Sequence, residues 1–171
     1  MLDRLRVGFE GLLAGIVGLL LVTLTVVVVV AVVYRRAGHS LVWYDEVASV
    51  LLAWLTYYGA ALAALKRAHI GFTGLVDSFQ PHLRVAAVLF GEICVIGFFA
   101  LLAWTGWQVL QVLRGIHMVS LPWVPVQLTQ SVIPIGALLF IVAQLLSLPE
   151  ALRRARDGAP AAGDLEERAA P

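Results

Sequence analysis

The chain has 171 residues, of which 61% are hydrophobic and 13% are charged, and its mean hydropathy is +0.92. A soluble domain of this length carries about twice that charged fraction, so the composition excludes an ordinary soluble globular protein. The sequence has to be interpreted with lipid as its solvent. The net charge of +1 gives no sign of a nucleic-acid-binding surface, and no nucleic-acid partner is expected.

Four apolar segments follow one another along the chain, and we predict that each crosses the membrane as a helix. The first, residues 12–34, has no charged residue and spans roughly 34 Å at about 1.5 Å per residue. The other three cover residues 47–65, 85–113 and 126–148. The expected fold is an all-α integral membrane protein with four transmembrane helices and short interfacial helices, in a single domain over residues 1–150.

Three features modify this picture of four spans. Residues 66–84 carry apolar side chains on one face at helical spacing, which predicts a short helix in the plane of the interface. Pro134 falls inside the fourth span, where neighbouring helices can satisfy the carbonyl group that a proline leaves free. Residues 151–171 are polar and rich in Ala, Pro and Gly, which predicts a disordered cytoplasmic tail.

The placement of lysine and arginine predicts the orientation of the chain. Nine of these twelve residues lie before the first span, between the second and third spans, or in the tail: Arg4, Arg6, Lys66, Arg67, Arg84, Arg153, Arg154, Arg156 and Arg168. The other three are Arg35, Arg36 and Arg114. Because positive residues favour the cytoplasm, both termini are expected to be cytoplasmic. The first span is too long for a signal peptide and lacks a clear cleavage site, so we expect a retained anchor.

Asp45 and Glu46 stand side by side at the start of the second span, after Trp43. The first turn of a helix has unpaired N–H groups and a positive dipole end, so acids stabilise it, and a tryptophan suits the membrane interface. One interpretation is therefore an anchored helix start. The other is a contact to a partner subunit, or to Arg35 and Arg36 across the loop. The residues alone favour the first interpretation.

Glu92 is the one acid well inside a predicted span, about one to two turns from the inner end of the third helix. A carboxylate within the membrane is a candidate functional group. The alternative, which we favour at this shallow depth, is that Glu92 reaches the headgroups or pairs with Lys66, Arg67 or a cation of a partner.

The remaining features indicate packing rather than chemistry. Gly59 and Ala63 lie four residues apart on the second helix, a spacing that allows close helix contact in lipid. Cys94 has no second cysteine to pair with, so we expect a buried structural thiol. No histidine lies in the middle of a span, which argues against a haem held between helices, and no common metal or nucleotide motif occurs. We expect no cofactor in this chain and no catalytic residue.

Two segments carry a family resemblance. WYDEVASVLLAWLTYYGAALAALKRAHI resembles the hallmark of the small membrane subunit (DctQ-like) of tripartite ATP-independent periplasmic (TRAP) transporters. The matching positions are Trp43, Asp45, Glu46, Gly59, Ala60, Lys66, Arg67, His69 and Ile70. WVPVQLTQSVIPIGALLFIVAQ resembles the last span of that family, with Trp123, Pro134 and Gly136 in place. The resemblance covers roughly residues 10–150, and it departs from the family pattern at Asp45, where Glu is more usual, and after Ile70, where an acid often follows.

The resemblance implies a small subunit in the bacterial inner membrane that scaffolds sodium-coupled uptake of an organic acid or related solute. Its partners would be a large multi-span (DctM-like) subunit that holds the sodium and substrate sites, a periplasmic substrate-binding protein, and membrane lipid. Taking the resemblance and the residue patterns together, the candidate contact residues are Trp43, Asp45, Glu46, Gly59, Ala63, His69 and Glu92. Given the resemblance, the two interpretations of Asp45 and Glu46 are equally favoured: contact with a partner subunit, and stabilisation of the start of the second helix.

Three other functions stay open at this point. The first is the small four-span subunit of tripartite tricarboxylate carriers, which should lack the spacing of the Trp, the acids and His-Ile seen here. The second is a self-assembling four-helix exporter or channel, although such carriers keep an acid near the middle of an early helix. The third is the membrane anchor of a redox complex, which the positions of the histidines disfavour.

Overall fold

The computed structural model describes residues 2–66 and 81–157. In these residues the chain forms five helices: α1 Leu2–Arg36, α2 Tyr44–Leu65, α3 Pro81–Val112, α4 Val126–Gln130 and α5 Val132–Asp157. Four stretches are long and apolar enough to cross a membrane: Arg6–Arg36, Tyr44–Leu65, Leu83–Val112 and Val126–Arg153. The described residues form no strand, and a single isolated bridge joins His117 and Pro125. The predicted all-α fold with four membrane-spanning helices is confirmed.

The helices pack as a row in the order α1, α2, α5, α3. In the described part of the chain, α1 packs along α2, α2 along α5 and α5 along α3, whereas α1 and α3 barely meet. In the most apolar stretch of each span, 39% of the residues are buried in the last span, against 6%, 11% and 6% in the first three. The core therefore runs along α5, and α1 and α3 form the two edges of the row.

Small side chains let α5 approach its neighbours closely. The buried core consists of Leu13, Ala61, Ala64, Leu65, Phe140 and Ala143. A Cβ atom added to Gly136 of α5 would lie 2.7 Å from the Cβ of Tyr57 on α2. One added to Gly106 of α3 would lie 2.8 Å from the Cγ2 of Ile133. Both glycines are therefore required by the packing of helices that exclude lipid between them.

The fourth span consists of two helices with a break at Ser131, which separates α4 from α5. Pro134 is the third residue of α5, so its missing N–H falls among the unpaired N–H groups of the first turn. The indole Nε1 of Trp54 on α2 donates to the carbonyl oxygen of Thr129 at 2.9 Å, beside the break. A neighbouring helix thus satisfies a carbonyl group beside the break, although the carbonyl that Pro134 would leave free in a continuous helix is that of Gln130 rather than Thr129.

All four long helices extend beyond the predicted spans: α1 begins at Leu2, ten residues before its predicted span, and α2 at Tyr44, three residues before its own. α5 continues past residue 148 to Asp157, through Pro149 and the first seven residues of the predicted tail. Its last turns are rich in Ala, Leu and Arg, which favour helix, and Ala151 and Ala155 are buried. α3 begins at Pro81, so residues 81–84 belong to it rather than to an interfacial helix. The rest of that predicted helix, and residues 158–171, lie outside the described residues.

Cys94 is exposed, so the expectation of a buried thiol is wrong. α3 lies at the edge of the row and packs on α5 alone among the long helices. Glu92 is buried, and Val95 and Phe99 pack against the core. These three positions follow helical spacing along one face, which turns Cys94 away from α5.

Replacing Gly136 with alanine should destabilise the protein. The added methyl group would overlap the Cβ of Tyr57, which is bonded to the backbone and cannot rotate away. We expect a loss of about 1–3 kcal/mol, typical of overpacking. The measurement is thermal unfolding of the purified protein in mild detergent. The matched control is Gly97→Ala on α3, where an added Cβ meets nothing within 4 Å and better helix propensity should leave stability equal or higher. Equal stability of the two variants would contradict the packing of α5 on α2.

Candidate functional site

Glu46 joins the start of α2 to the loop between α3 and α4, residues 113–125. Its carboxylate accepts a hydrogen bond from the backbone N–H of Ser120 at 2.8 Å and one from that of Val119 at 3.2 Å. The Ser120 hydroxyl donates to the same carboxylate. Hydrogen bonds to an ionised acceptor are roughly twice as strong as neutral ones. Three donors from one loop therefore fix that loop on the first turn of α2.

The α3–α4 loop also has internal order. The N–H of Met118 donates to the Val124 carbonyl and the N–H of Val126 to the Ile116 carbonyl, each at 3.0 Å. Gly115, with a φ of +79°, supplies the left-handed turn that starts the loop. The Met118 side chain is buried below this short hairpin.

The hairpin presents apolar side chains on its outside. Val119 is 93% exposed and Trp123 is 75% exposed. The hydrogen bonds to Glu46 hold the backbone of Val119 and so fix where this surface stands. An ordered loop with an exposed tryptophan and valine is suited to contact a membrane interface or another protein.

The two adjacent acids have different environments. Asp45 is exposed, whereas Glu46 is half-buried against the loop. Within the described residues, neither acid forms an ion pair with Arg35 or Arg36. Trp43 is the N-cap residue of α2 and makes no side-chain capping hydrogen bond. The part of the hypothesis that joined the acids to the two arginines is therefore wrong, because Glu46 turns to the α3–α4 loop instead.

Glu92 contacts the central helix. It is 8% exposed, and the side-chain amide of Gln144 on α5 donates to its carboxylate at 2.5 Å. Because α3 begins at Pro81, Glu92 lies eleven residues, or about 16 Å, from the helix start, deeper than the predicted one to two turns. Lys66, named as a possible cation for it, pairs with Glu10 at 3.1 Å. Arg67 lies outside the described residues.

A third polar cluster joins α1, α2 and α5 at the ends that lie away from the α3–α4 loop. Arg6 of α1 pairs with Glu150 of α5, and its second guanidinium nitrogen donates to the Leu65 carbonyl at 3.2 Å. Leu65 is the last residue of α2, where carbonyl groups lack helical partners and a cation is favoured. We call Arg6, Glu150, Glu10 and Lys66 the terminal-end cluster. No contact of Arg6, Glu10 or Glu150 was predicted from the sequence.

The predicted contact residues thus fall in separate places. Glu46 and Trp43 lie at the end of the long helices that carries the α3–α4 loop, which we call the loop end. Glu92 lies along the contact of α3 with α5. Gly59 and Ala63 are half-buried. A Cβ added to Gly59 meets nothing within 4 Å, so no helix among the described residues packs closely on that glycine. His69 lies outside the described residues. In residues 2–66 and 81–157, no group of three His, Cys, Asp or Glu side chains could hold a metal ion.

The fold and these contacts define a small multi-pass membrane protein whose polar side chains join its helices and one ordered loop. The family model described as "Tripartite ATP-independent periplasmic transporters, DctQ component" matches residues 24–154. The chain therefore belongs to this family and is a small component of a TRAP transporter. The match covers the whole of α2, α3 and α4, with Glu46, Glu92, Ser120 and Gln144. A search of curated proteins found no match to the chain.

Replacing Glu46 with glutamine should release the α3–α4 loop. The amide keeps one acceptor oxygen, but its NH₂ group would face backbone N–H donors that the carboxylate now binds. We expect several-fold faster chymotrypsin cleavage after Trp123, monitored by mass spectrometry in mild detergent, because local opening controls cleavage of a folded loop. Asp45→Asn is the matched control and should leave the rate unchanged. Equal cleavage of the two variants would show that Glu46 does not hold the loop.

Proposed function

We propose that this chain is the small subunit that scaffolds the large (DctM-like) membrane subunit during sodium-coupled uptake of an organic acid or related solute. A periplasmic substrate-binding protein would deliver that solute. The sodium and substrate sites would lie in the large subunit, and the small subunit would carry no catalytic step. Membership of the DctQ family supports this proposal. The observation that carries it is the uncovered surface of the helix row.

Among the described residues, α1 packs along α2, and most of its remaining surface faces no other helix. Apart from its contact with α2, it exposes apolar side chains along its whole length, such as Leu19, Val22 and Val29. Gly11 and Gly15, four residues apart, have open space around an added Cβ. A surface of this kind has to be covered by lipid or by helices of another subunit, and small residues at this spacing allow a helix to come close. This supports a companion role better than a self-contained exporter.

The contacts divide the polar groups between the two opposite ends of the long helices, the terminal end and the loop end. Arg6, Lys66 and Glu150 meet at the terminal end, while Glu46 and Ser120 meet at the loop end. Positive residues are concentrated at the terminal end, which favours the cytoplasm. In our proposal both termini are cytoplasmic, the membrane is the bacterial inner membrane, and the hairpin of the α3–α4 loop faces the periplasm. Val119 and Trp123 would there be accessible to the binding protein.

The proposal is tested by purifying the tagged chain from its native membrane in mild detergent, with mass spectrometry of the proteins that accompany it. We expect a much larger multi-span protein in near-equal amount. Replacing Asp45 and Glu46 together with Asn and Gln should lower recovery of that protein while the chain still inserts, since the loop end would lose its order. Recovery of the chain alone, as a stable homo-oligomer that transports by itself, would support the exporter alternative instead.

Uptake by the recovered complex tests the sodium coupling. The complex in proteoliposomes, with the binding protein and a labelled organic acid outside, should accumulate the acid only under an inward sodium gradient. A potassium gradient of equal size is the control. Accumulation with either gradient would contradict sodium coupling, and accumulation without the large subunit would contradict the scaffold role.

A further inference from the structure

A cavity of about 360 Å³ opens at the loop end, between the end of α3 and the start of α4. Its lining residues are Trp107, Leu110, Gln111, Arg114, Gln127 and Leu128. The lining has two kinds of surface. Trp107, Leu110 and Leu128 are apolar, whereas the other three carry a guanidinium group and two amides. The cavity therefore offers a cationic, hydrogen-bonding region beside an apolar wall.

Arg114 is free to bind an anion. It is exposed, and it forms no ion pair with any residue that the structure describes. The carbonyl groups at the end of a helix would normally oppose an anion. Here Gln127 donates to the Leu110 carbonyl at 2.7 Å, and the N–H of Leu113 donates to the Val109 carbonyl at 3.0 Å. Two carbonyl groups in the last turns of α3 are thus hydrogen-bonded, and Arg114 supplies a positive charge beside them.

The cavity lies beside the end of the membrane-spanning stretch of α3, where the headgroups are expected to meet the hydrocarbon. α3 ends at Val112, which is also the end of its membrane-spanning stretch. Trp107 and Trp104, both more than half exposed, lie one to two turns before that end, as interfacial tryptophans do. Since α3 is an edge of the row, no long helix among the described residues packs on its outer side. With the end of this span at the interface, Arg114 is expected at headgroup depth and Trp107 at the depth of the first methylene groups.

We propose that this cavity binds an anionic phospholipid of the leaflet at the loop end. Its phosphate accepts hydrogen bonds from the guanidinium of Arg114 and the amide of Gln111, and an acyl chain covers Trp107 and Leu128. Arginine binds phosphate through two parallel hydrogen bonds, which gives the polar region its selectivity. A free phosphate ion would leave the apolar wall uncovered, so the lining favours the lipid. The site is separate from the scaffold role, because it needs no partner subunit.

Native mass spectrometry tests the site. The tagged chain is purified in mild detergent, supplied with equal amounts of phosphatidylglycerol and phosphatidylcholine, and then partly delipidated. We expect retained phosphatidylglycerol to exceed phosphatidylcholine on the unmodified protein. Arg114→Gln should lower phosphatidylglycerol retention by about tenfold, the effect of losing one charge-assisted interaction of about 1.4 kcal/mol. Arg114→Lys should retain part of it.

Arg36→Gln is the matched control, because Arg36 is also an exposed arginine at the loop end of the helices. It should retain phosphatidylglycerol like the unmodified protein. Circular dichroism verifies that each variant keeps its helices. Undiminished retention by Arg114→Gln, or an equal loss in Arg36→Gln, would overturn the proposal. A third arm adds inorganic phosphate without lipid: thermal stabilisation by phosphate equal to that by phosphatidylglycerol would assign the site to a free anion and overturn the lipid.

Discussion

In lipid, every backbone N–H and C=O group must find its partner within the protein, and this constraint shapes the whole molecule. Long helices satisfy it internally, but the fourth span breaks at Ser131 and α3 ends beside it. Side chains repair both places: Trp54 donates to the Thr129 carbonyl, and Gln127 to the Leu110 carbonyl. The break thus lies against α2 and α3, the two helices that also flank α5 in the row.

Once α5 is central, the polar contacts at the two ends have complementary roles. Glu46 orders the hairpin at the loop end, and Arg6 joins α1, α2 and α5 at the terminal end. The ion pairs of the terminal-end cluster are about one-third to one-half exposed, so each contributes little by itself, and their effect is on register. The edges of the row stay uncovered. A protein built in this way has an ordered interior and a large outer surface, as a companion subunit requires.

The number and type of the spans could be predicted from the sequence, because charge-free segments of this length have no other stable solution in lipid. The ends of the helices were harder to predict from the sequence. α5 runs to Asp157 because Ala151 and Ala155 are buried, and that burial depends on the neighbouring helices. The partners of the acids could not be predicted, since Ser120 lies 74 residues from Glu46 and Gln144 lies 52 from Glu92. Cys94 was predicted buried because a hydrophobic segment does not reveal which face meets lipid.

The central claim is that the chain forms an open row in the order α1, α2, α5, α3 and that a larger subunit covers part of its surface. The most direct test is a cryo-electron microscopy structure of the purified complex in a lipid nanodisc. We expect α5 between α2 and α3, the Glu46 carboxylate on the backbone N–H of Ser120, and helices of the large subunit against the exposed face of α1 or α3. A closed bundle in which α1 packs along α3, or an α5 that leaves the core to face the large subunit, would contradict it.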